Sequence, residues 1–338
     1  MIVTEQPKSM LADLMESFFR KHLIAQRGTS PATVNSYRDS LRLFLTFASD
    51  RARKRPSQLR IEELDREMVL SFLDHLERER SNSVRTRNCR LAAIHSFFHH
   101  VAARDPAVMN LAHMVLGIQG KRTTKPVLGY IRQPDLETIL ATPDRSKPQG
   151  RRDHALLLFL ARTGARVSET IGLNVEDLTL GWPSQVLLRG KGAKQRVVPL
   201  TKDTAAVLRA FVEERQVASL PQAPIFLNAR GRRLSRFGVR HILRQAVSIT
   251  NKKGPIAGPR SISPHTLRHS LAMGLLQSGV DPITIQAWLG HASLNTTHQY
   301  MEANVEMKRQ ALEKCDSPET TPVPYQPTDE VLAFLESL

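Results

Sequence analysis

The stretch GARVSETIGL, residues 164–173, decides how the middle of this sequence is interpreted. It follows the apolar run HALLLFLART, residues 154–163, which has the composition of a buried helix. Such a helix would end at Gly164, because glycine readily adopts the left-handed conformation of a C-terminal cap. Arg166 stands just beyond this turn. Its guanidinium could cap a neighbouring helix or be directed at a phosphate, and the rest of the sequence must distinguish the two.

The composition indicates a basic protein long enough for two domains of ordinary size. Its 338 residues include 48 Lys and Arg against 32 Asp and Glu, which gives a formal net charge of +16. This excess is typical of proteins that bind nucleic acid, although a basic protein without a polyanionic partner would show the same balance. The two cysteines, Cys89 and Cys315, form neither a disulfide framework nor a zinc motif and fit a reducing cytosol.

The sequence predicts no association with a membrane. The N-terminal segment carries acidic residues and lacks the pattern of a signal peptide. No stretch approaches the roughly 20 apolar residues that span a bilayer. We therefore expect a cytoplasmic protein, associated with the nucleoid if it binds DNA.

The first 118 residues predict a helical bundle. Ser30 followed by Pro31 has the pattern of an N-cap and a first helical position. Apolar residues recur at helical spacing in four segments, and a fifth short helix is expected near 106–117. The four segments are 9–23, 30–49, 61–80 and 83–104.

The fourth predicted helix carries Arg85, Arg87 and Arg90 in its first turns. Cations at a helix N-terminus oppose the helix dipole, which favours a phosphate-facing role. A solvated face is the alternative. The segment 119–131 that follows this bundle is basic and without periodicity, so it predicts an extended linker that tracks along a DNA backbone.

Residues 132–315 predict a second domain that is mainly helical with a small sheet. The sequence QVLLRGKGAKQRVVPL, residues 185–200, has two short β-rich runs around a glycine-containing turn, which indicates a hairpin. The remaining segments have helical spacing. Residues 316–338 form a Pro-rich linker and a final amphipathic segment, which predicts a docking helix.

Four separated motifs in this second domain carry candidate chemistry. TGARVSE contains Arg166, and GKGAK contains Lys191 at the hairpin turn. SPHTLRH contains His265 and Arg268, and LGHASLNTTHQYM contains His291 and Tyr300. Each motif alone has an ordinary structural explanation. His265 and His269 have zinc-ligand spacing, but no acidic residue lies between them as in HExxH, which disfavours a metal site.

In this order, the motifs TGxRxSE, GKGxKxR, HxLRH and LGH, followed by the tyrosine, resemble the tyrosine recombinases. This integrase family includes the bacterial Xer recombinases. The resemblance covers about residues 130–315 closely, whereas the N-terminal region matches only in kind. It implies a mainly α fold with a small β-sheet, in which a helical, SAM-like core-binding domain precedes an α+β catalytic domain.

The resemblance implies a role for each motif residue. Arg166 and Arg268 would bind the scissile phosphate, because guanidinium forks stay protonated and bind phosphate in a bidentate way. Tyr300 would be the nucleophile, and His265 the general base. Lys191 would protonate the departing 5′-hydroxyl, and His291 would donate to a non-bridging oxygen. The family requires no metal and no nucleotide cofactor.

Supporting and DNA-binding residues are also expected. Glu169 would orient Arg166, and Glu176 and Asp177 are further supporting candidates. The residues expected to contact DNA are Arg85, Arg87, Arg90, Lys121, Arg122, Lys125, Lys194 and Arg196.

The function implied is site-specific DNA recombination through a 3′-phosphotyrosyl intermediate and a Holliday junction, for integration, excision or transposition. Double-stranded DNA with a two-arm site would be the substrate, bound by a tetramer on two sites, formed by this chain alone or with a partner recombinase. The sequence NTTHQYMEA and the long tail favour a mobile element. A type IB topoisomerase-like enzyme and a non-catalytic DNA-binding protein on the same fold are the alternatives.

Overall fold

The computed structural model describes residues 10–123, 129–190, 194–256, 259 and 261–290. The chain divides into two compact units, residues 1–126 and 127–338, and each is described by itself. This division lies within the basic segment 119–131. None of the helices in the described ranges is long and apolar enough to cross a bilayer.

The first unit is built from helices. Helix α1 continues into a π-helical segment, Ser17–Gln26, and short 3₁₀ turns lie at Pro56–Gln58, Ile61–Glu63 and Pro106–Val108. The α-helices are α1 (Met10–Glu16), α2 (Pro31–Ala52), α3 (Arg66–Arg78), α4 (Val84–Arg104) and α5 (Met109–Leu116).

Capping residues determine where two of these helices begin. The Ser30 hydroxyl accepts the Thr33 N–H at 3.4 Å, and Pro31 occupies the first helical position, as predicted. The third predicted helix, 61–80, begins later than expected. The Asp65 carboxylate accepts the Met68 N–H at 2.8 Å and so starts α3 at Arg66.

Aromatic side chains fill the core of the first unit. Phe18 and Phe97 meet edge to face with ring centroids 5.5 Å apart, and both are fully buried. Phe44 and Phe72 lie 5.2 Å apart and are also fully buried. Each buried phenylalanine contributes about 1.5–3 kcal/mol of transfer free energy. The first unit therefore has its own hydrophobic core.

The second unit combines seven described helices with a three-stranded antiparallel sheet. The strands β1 (Leu178–Thr179), β2 (Gln185–Arg189) and β3 (Gln195–Pro199) follow the order β1–β2–β3. Strands β2 and β3 form the predicted hairpin, with Leu187 opposite Val197. The helices are α6 (Gln133–Leu140), α7 (Pro148–Thr163), α8 (Val167–Gly172), α9 (Lys202–Glu214), α10 (Arg236–Lys253), α11 (Pro264–Gln277) and α12 (Pro282–Leu289).

Helix α7 is the centre of the second unit. Its residues 154–161 are all buried, as expected for a helix that is apolar on every side, and it packs against α9 and α11. It ends at Gly164, which has a φ of +64°. A Cβ at Gly164 would lie 2.7 Å from Leu289 Cδ2 and 3.0 Å from Leu271 Cδ2. Glycine therefore allows α11 and α12 to approach the end of α7 closely.

Candidate active site

Arg166 is held in place by Glu169. Arg166 directly precedes α8, and its backbone N–H donates to Glu169 Oε2 at 2.7 Å. Its Nη1 also donates to Glu169 Oε1 at 2.9 Å. The Glu169 side chain is almost completely buried, whereas the Arg166 side chain is one third exposed. The structure thus brings together the two residues that the sequence paired.

A second arginine binds the same carboxylate. Arg196 on β3 donates from Nη1 and Nη2 to the two oxygens of Glu169, each at 2.8 Å. Burial alone would raise the pKa of Glu169, but the hydrogen bonds from Arg196 and Arg166 outweigh it and lower this pKa. Glu169 is therefore a carboxylate at neutral pH, shared by two guanidinium groups.

Arg268 lies deeper in the unit, on α11. It is only 4% exposed. Its Nη1 donates to the Gly164 carbonyl at 2.7 Å, and its Nη2 donates to the Leu289 carbonyl at 2.5 Å. These bonds fix the guanidinium between the end of α7 and the end of α12.

Three arginines converge on the C-terminus of α12. The carbonyls of residues 288–290 accept, in order, Arg196 Nε at 2.9 Å, Arg268 Nη2 at 2.5 Å and Arg166 Nη2 at 2.8 Å. The last carbonyls of a helix lack partners within the helix and carry partial negative charge, so cations stabilise them. One short backbone segment therefore aligns guanidinium groups that come from three separate parts of the chain.

A cationic cleft of about 370 Å³ opens beside Arg166 and His265. Arg236 and Arg240 of α10 also line it, together with Ser168 and other residues, and none of the described side chains that line it is a carboxylate. Three guanidinium groups around one opening attract a phosphate. The sequence had not singled out Arg236 and Arg240, although α10 carries five Lys and Arg and no acidic residue.

The surroundings of His265 keep its imidazole neutral. Partial burial is the largest cause that lowers the pKa of His265, and the positive charges of Arg268, Arg166 and Arg240 lower this pKa further. The side chain nevertheless remains exposed at the cleft. A neutral imidazole at neutral pH can accept a proton, which is the property required of a general base.

His269, one turn further along α11, is half-buried. Burial, followed by the nearby His265 and Arg268, lowers its pKa to about 4. Within the described ranges, no three His, Cys, Asp or Glu side chains are grouped so as to hold a metal ion.

Glu176 and Asp177 lie in a different cluster from the one predicted. Asp177 pairs with Arg189 at the end of β2 and accepts the Asn174 N–H at 2.9 Å. Glu176 Oε1 lies 3.6 Å from Arg189 Nη2. Neither carboxylate has a described hydrogen bond or ion pair with Arg166 or Arg268. These acids therefore connect the turn before β1 to strand β2, and the supporting role expected of them stays a prediction.

Two residues expected to contact DNA are turned inward. Arg87 is 5% exposed, and its Nη1 donates to Asn88 Oδ1 at 3.1 Å while its Nε lies 3.7 Å from Glu77 Oε2. Arg196 is likewise directed at Glu169. In this structure both guanidiniums face a carboxylate of their own unit and not solvent.

Lys121 is tied to the helical unit. Asn88 Nδ2 donates to the Lys121 carbonyl at 2.7 Å, and the Lys121 N–H donates to Asn88 Oδ1 at 3.1 Å. The Lys121 ammonium also pairs with Glu77. Lys121, the first cation of the predicted linker 119–131, is therefore bound to the helical unit.

The other predicted DNA contacts differ in their surroundings. Arg85, Arg122 and Lys194 are exposed, and Lys125 lies outside the described residues. Arg90 lines a surface cleft of the first unit together with Arg42 and Arg80. No sequence motif indicates Arg42 and Arg80, because they belong to different segments and meet only in the folded unit.

Lys191, His291 and Tyr300 lie outside the described residues. The glycines that precede the first two are described. A Cβ at Gly190 would lie 3.2 Å from Glu169 Oε1, and the Gly290 carbonyl accepts Arg166 Nη2. Two predicted residues thus directly follow backbone that packs against the Arg166–Glu169 pair.

Comparison with known families and relatives gives consistent matches. The phage integrase family matches residues 130–307, and the N-terminal SAM-like domain of phage integrases matches residues 16–105. The chain is 44% identical to the Sinorhizobium fredii protein y4rC over 97% of its length and 98% of y4rC. It is 33% identical to the tyrosine recombinase XerC of Pelobacter propionicus over 93% of its length and 99% of that protein.

Solved structures also match. The XerH site-specific recombinase in its pre-cleavage complex with a difH substrate is 25% identical, with a TM-score of 0.65. The match covers 85% of this chain and 81% of XerH.

Proposed function

The chain belongs to the phage integrase family and is a site-specific DNA recombinase of the tyrosine type, and we propose that the Arg166 cleft is where it cleaves DNA. In the proposed reaction the Tyr300 hydroxyl attacks a backbone phosphorus. A 3′-phosphotyrosyl bond forms, the bond to the 5′-oxygen breaks, and that oxygen leaves as a hydroxyl. A second 5′-hydroxyl reverses the step and completes strand exchange.

The observation that carries this proposal is the convergence of Arg166, Arg268 and His265. Attack on a phosphodiester adds negative charge to its non-bridging oxygens. Arg166 lines the cationic cleft, and Arg268 is held by two backbone carbonyls, so both guanidiniums are oriented before DNA binds. Such preorganised charge is usually the largest contribution to catalysis, and losing one donor costs about 2.7–4 kcal/mol of transition-state stabilisation.

The proton transfers are assigned from the motifs and from the site. We propose that His265 takes the proton of the Tyr300 hydroxyl, which its lowered pKa allows at neutral pH. Lys191 gives a proton to the departing 5′-oxygen, and His291 donates to a non-bridging oxygen. These assignments are supported by Gly190 and Gly290, which pack against the Arg166–Glu169 pair one residue before Lys191 and His291.

For DNA binding and assembly we propose a two-arm duplex site bound by two protomers, with a tetramer joining two sites. The XerH complex with difH shows a relative bound to its DNA substrate. Of the residues predicted to contact DNA, Arg85, Arg122 and Lys194 are exposed, and Arg90 lines a surface cleft with Arg42, Arg80 and Asp39. We further propose that the protein acts on DNA at the nucleoid and is carried by a mobile element.

The test of this function is a covalent adduct that depends on one hydroxyl. On a nicked suicide substrate the wild-type chain should form an SDS-stable protein–DNA adduct, and Tyr300→Phe should bind the same DNA without forming it. Tyr130→Phe is the matched control, since among the described residues its hydroxyl accepts a hydrogen bond from Gln277 Nε2 at 3.3 Å. An adduct in Tyr300→Phe would show that another residue is the nucleophile.

A further inference from the structure

Arg196 connects two parts of the candidate active site. Its Nη1 and Nη2 bind the Glu169 carboxylate, and its Nε binds the Trp288 carbonyl at the end of α12. The side chain is 12% exposed. Arg196 is therefore enclosed within its own unit, and its three hydrogen bonds go to Glu169, which binds Arg166, and to the end of α12, which continues to the Arg166 partner Gly290.

Two sets of contacts link Arg196 to Arg166. In the first, Glu169 carries two hydrogen bonds from Arg166, one from the backbone and one from the guanidinium. In the second, the end of α12 continues to Gly290, whose carbonyl accepts Arg166 Nη2. Displacement of Arg196 would therefore move both groups that orient Arg166.

Gly290 lies directly against the Arg196 side chain. It has a φ of +63°, and a Cβ there would lie 3.0 Å from Arg196 Cδ and 3.2 Å from Arg196 Nη1. The glycine of the LGH motif thus leaves room for the arginine of the GKGxKxR motif. Two motifs that are far apart in the sequence meet at one side chain.

We propose that Arg196 is a positioning residue for strand cleavage: it fixes Glu169 and the end of α12 so that Arg166 is presented to the scissile phosphate. This inference rests on the proposed function. It needs an arginine rather than any cation, because only a planar fork with a third donor reaches both carboxylate oxygens and a carbonyl at once. A lysine at this position would keep the charge beside Glu169 but lose the geometry.

Arg196→Lys tests the proposal, with Arg152→Lys as its matched control. Arg152 also combines a neighbouring carboxylate, Asp153, with one backbone carbonyl, that of Leu227, and it is 17% exposed. We would measure the melting temperature, the Kd for a single DNA arm, and the single-turnover rate constant for adduct formation at saturating DNA. The assay temperature would lie well below every melting transition, so that folded protein is compared.

Arg196→Lys should keep the wild-type Kd and lower the cleavage rate constant about 10-fold to 100-fold, the usual consequence of a misplaced catalytic group. Arg152→Lys should change neither quantity. In a double-mutant cycle, Glu169→Gln and Arg196→Lys should combine to a smaller loss than the product of their separate losses, because both act through Arg166.

Three results would overturn this role. A weaker Kd with an unchanged rate constant would make Arg196 a direct DNA contact. An equal loss of rate in Arg152→Lys would reduce the effect to general destabilisation, and fully multiplicative losses in the cycle would separate Arg196 from Glu169. A wild-type chain without any Tyr300 adduct would instead refute the proposed function, and this role with it.

Discussion

At the scale of single residues, the arginine side chains of this site are held by hydrogen-bond acceptors of their own unit. A buried guanidinium is stable only when its N–H groups are hydrogen-bonded. Arg268 meets this condition with the carbonyls of Gly164 and Leu289, and Arg196 meets it with Glu169 and Trp288. Arg166 is more exposed and faces the cleft. Hydrogen bonds to their own unit thus fix the more enclosed arginines, and the most exposed of the three lines the cleft.

At the same scale, the charge of Arg240 should contribute to the acid limit of cleavage, after burial and the charges of Arg268 and Arg166. Arg240 lines the cleft and helps to lower the pKa of His265. Replacing it in Arg240→Gln removes a positive charge, so the pKa of His265 rises toward its ordinary value. A general base must be unprotonated, so the acid limb of the cleavage rate should shift to higher pH.

The measurement is the pH profile of single-turnover adduct formation. Arg244→Gln is the control, because Arg244 is exposed on the same helix but does not line the cleft. An unmoved limb in Arg240→Gln, or an equal shift in the control, would argue against His265 as the titrating base.

Among the elements, the long periodic ones could be predicted from the sequence. Helices α2, α4 and α10 follow their apolar spacing, and the glycine-containing turn of GKGAK predicted the β2–β3 hairpin. Helix α8 has six residues and β1 has two, which is too short for a periodic signal.

The convergence at α12 could not be predicted because it depends on tertiary contacts. Arg166 and Gly290 meet across 124 positions of sequence. The motif order identified Arg166 and Arg268 as site residues, but a motif does not give the direction of a side chain. The sequence therefore predicts DNA contacts for Arg196 and Arg87, whereas the structure turns both toward carboxylates of their own units.

The junction of α7, α11 and α12 gives a stability prediction at this scale. Gly164→Ala must adopt a positive φ and place a methyl group 2.7 Å from Leu289, so the free energy of unfolding should fall by about 2–4 kcal/mol. Gly274→Ala lies inside α11 with open space around its Cβ and should raise it by about 0.5–1 kcal/mol. Urea unfolding followed by tryptophan fluorescence measures both, because Trp182 and Trp288 belong to the second unit.

A loss smaller than 1 kcal/mol in Gly164→Ala, relative to the Gly274→Ala control, would mean that α12 can move away from the end of α7. The alignment of the three arginines by the carbonyls of residues 288–290 would then be less rigid than their hydrogen bonds imply.

The whole molecule consists of two units, each with a hydrophobic core of its own. The aromatic core around Phe18 and Phe97 belongs to residues 1–126, and the core around α7 belongs to residues 127–338. The candidate catalytic residues all belong to the second unit, whereas exposed cations occur in both. The proposed function therefore assigns DNA cleavage to the second unit and DNA contacts to both units.

The last prediction concerns the C-terminal segment, residues 318–338, which lies outside the described residues. Its sequence TDEVLAFLESL places Val331, Leu332, Phe334, Leu335 and Leu338 on one face of a predicted helix. A helix of this length does not persist alone in water, so its apolar face needs a partner. The preceding prolines favour an extended linker at about 3 Å per residue, which gives enough reach for a neighbouring protomer.

We expect deletion of 318–338 to preserve binding of one protomer to one arm. Cooperative filling of a two-arm site and strand exchange between sites should both be weakened, because the coupling between protomers is lost. Gel-shift titrations on one-arm and two-arm DNA measure this directly. Leu335→Asp should reproduce the deletion, while Glu336→Gln, on the polar face, should behave as wild type. Unchanged cooperativity and recombination yield in the truncated chain would mean that the segment docks on its own protomer or does not dock.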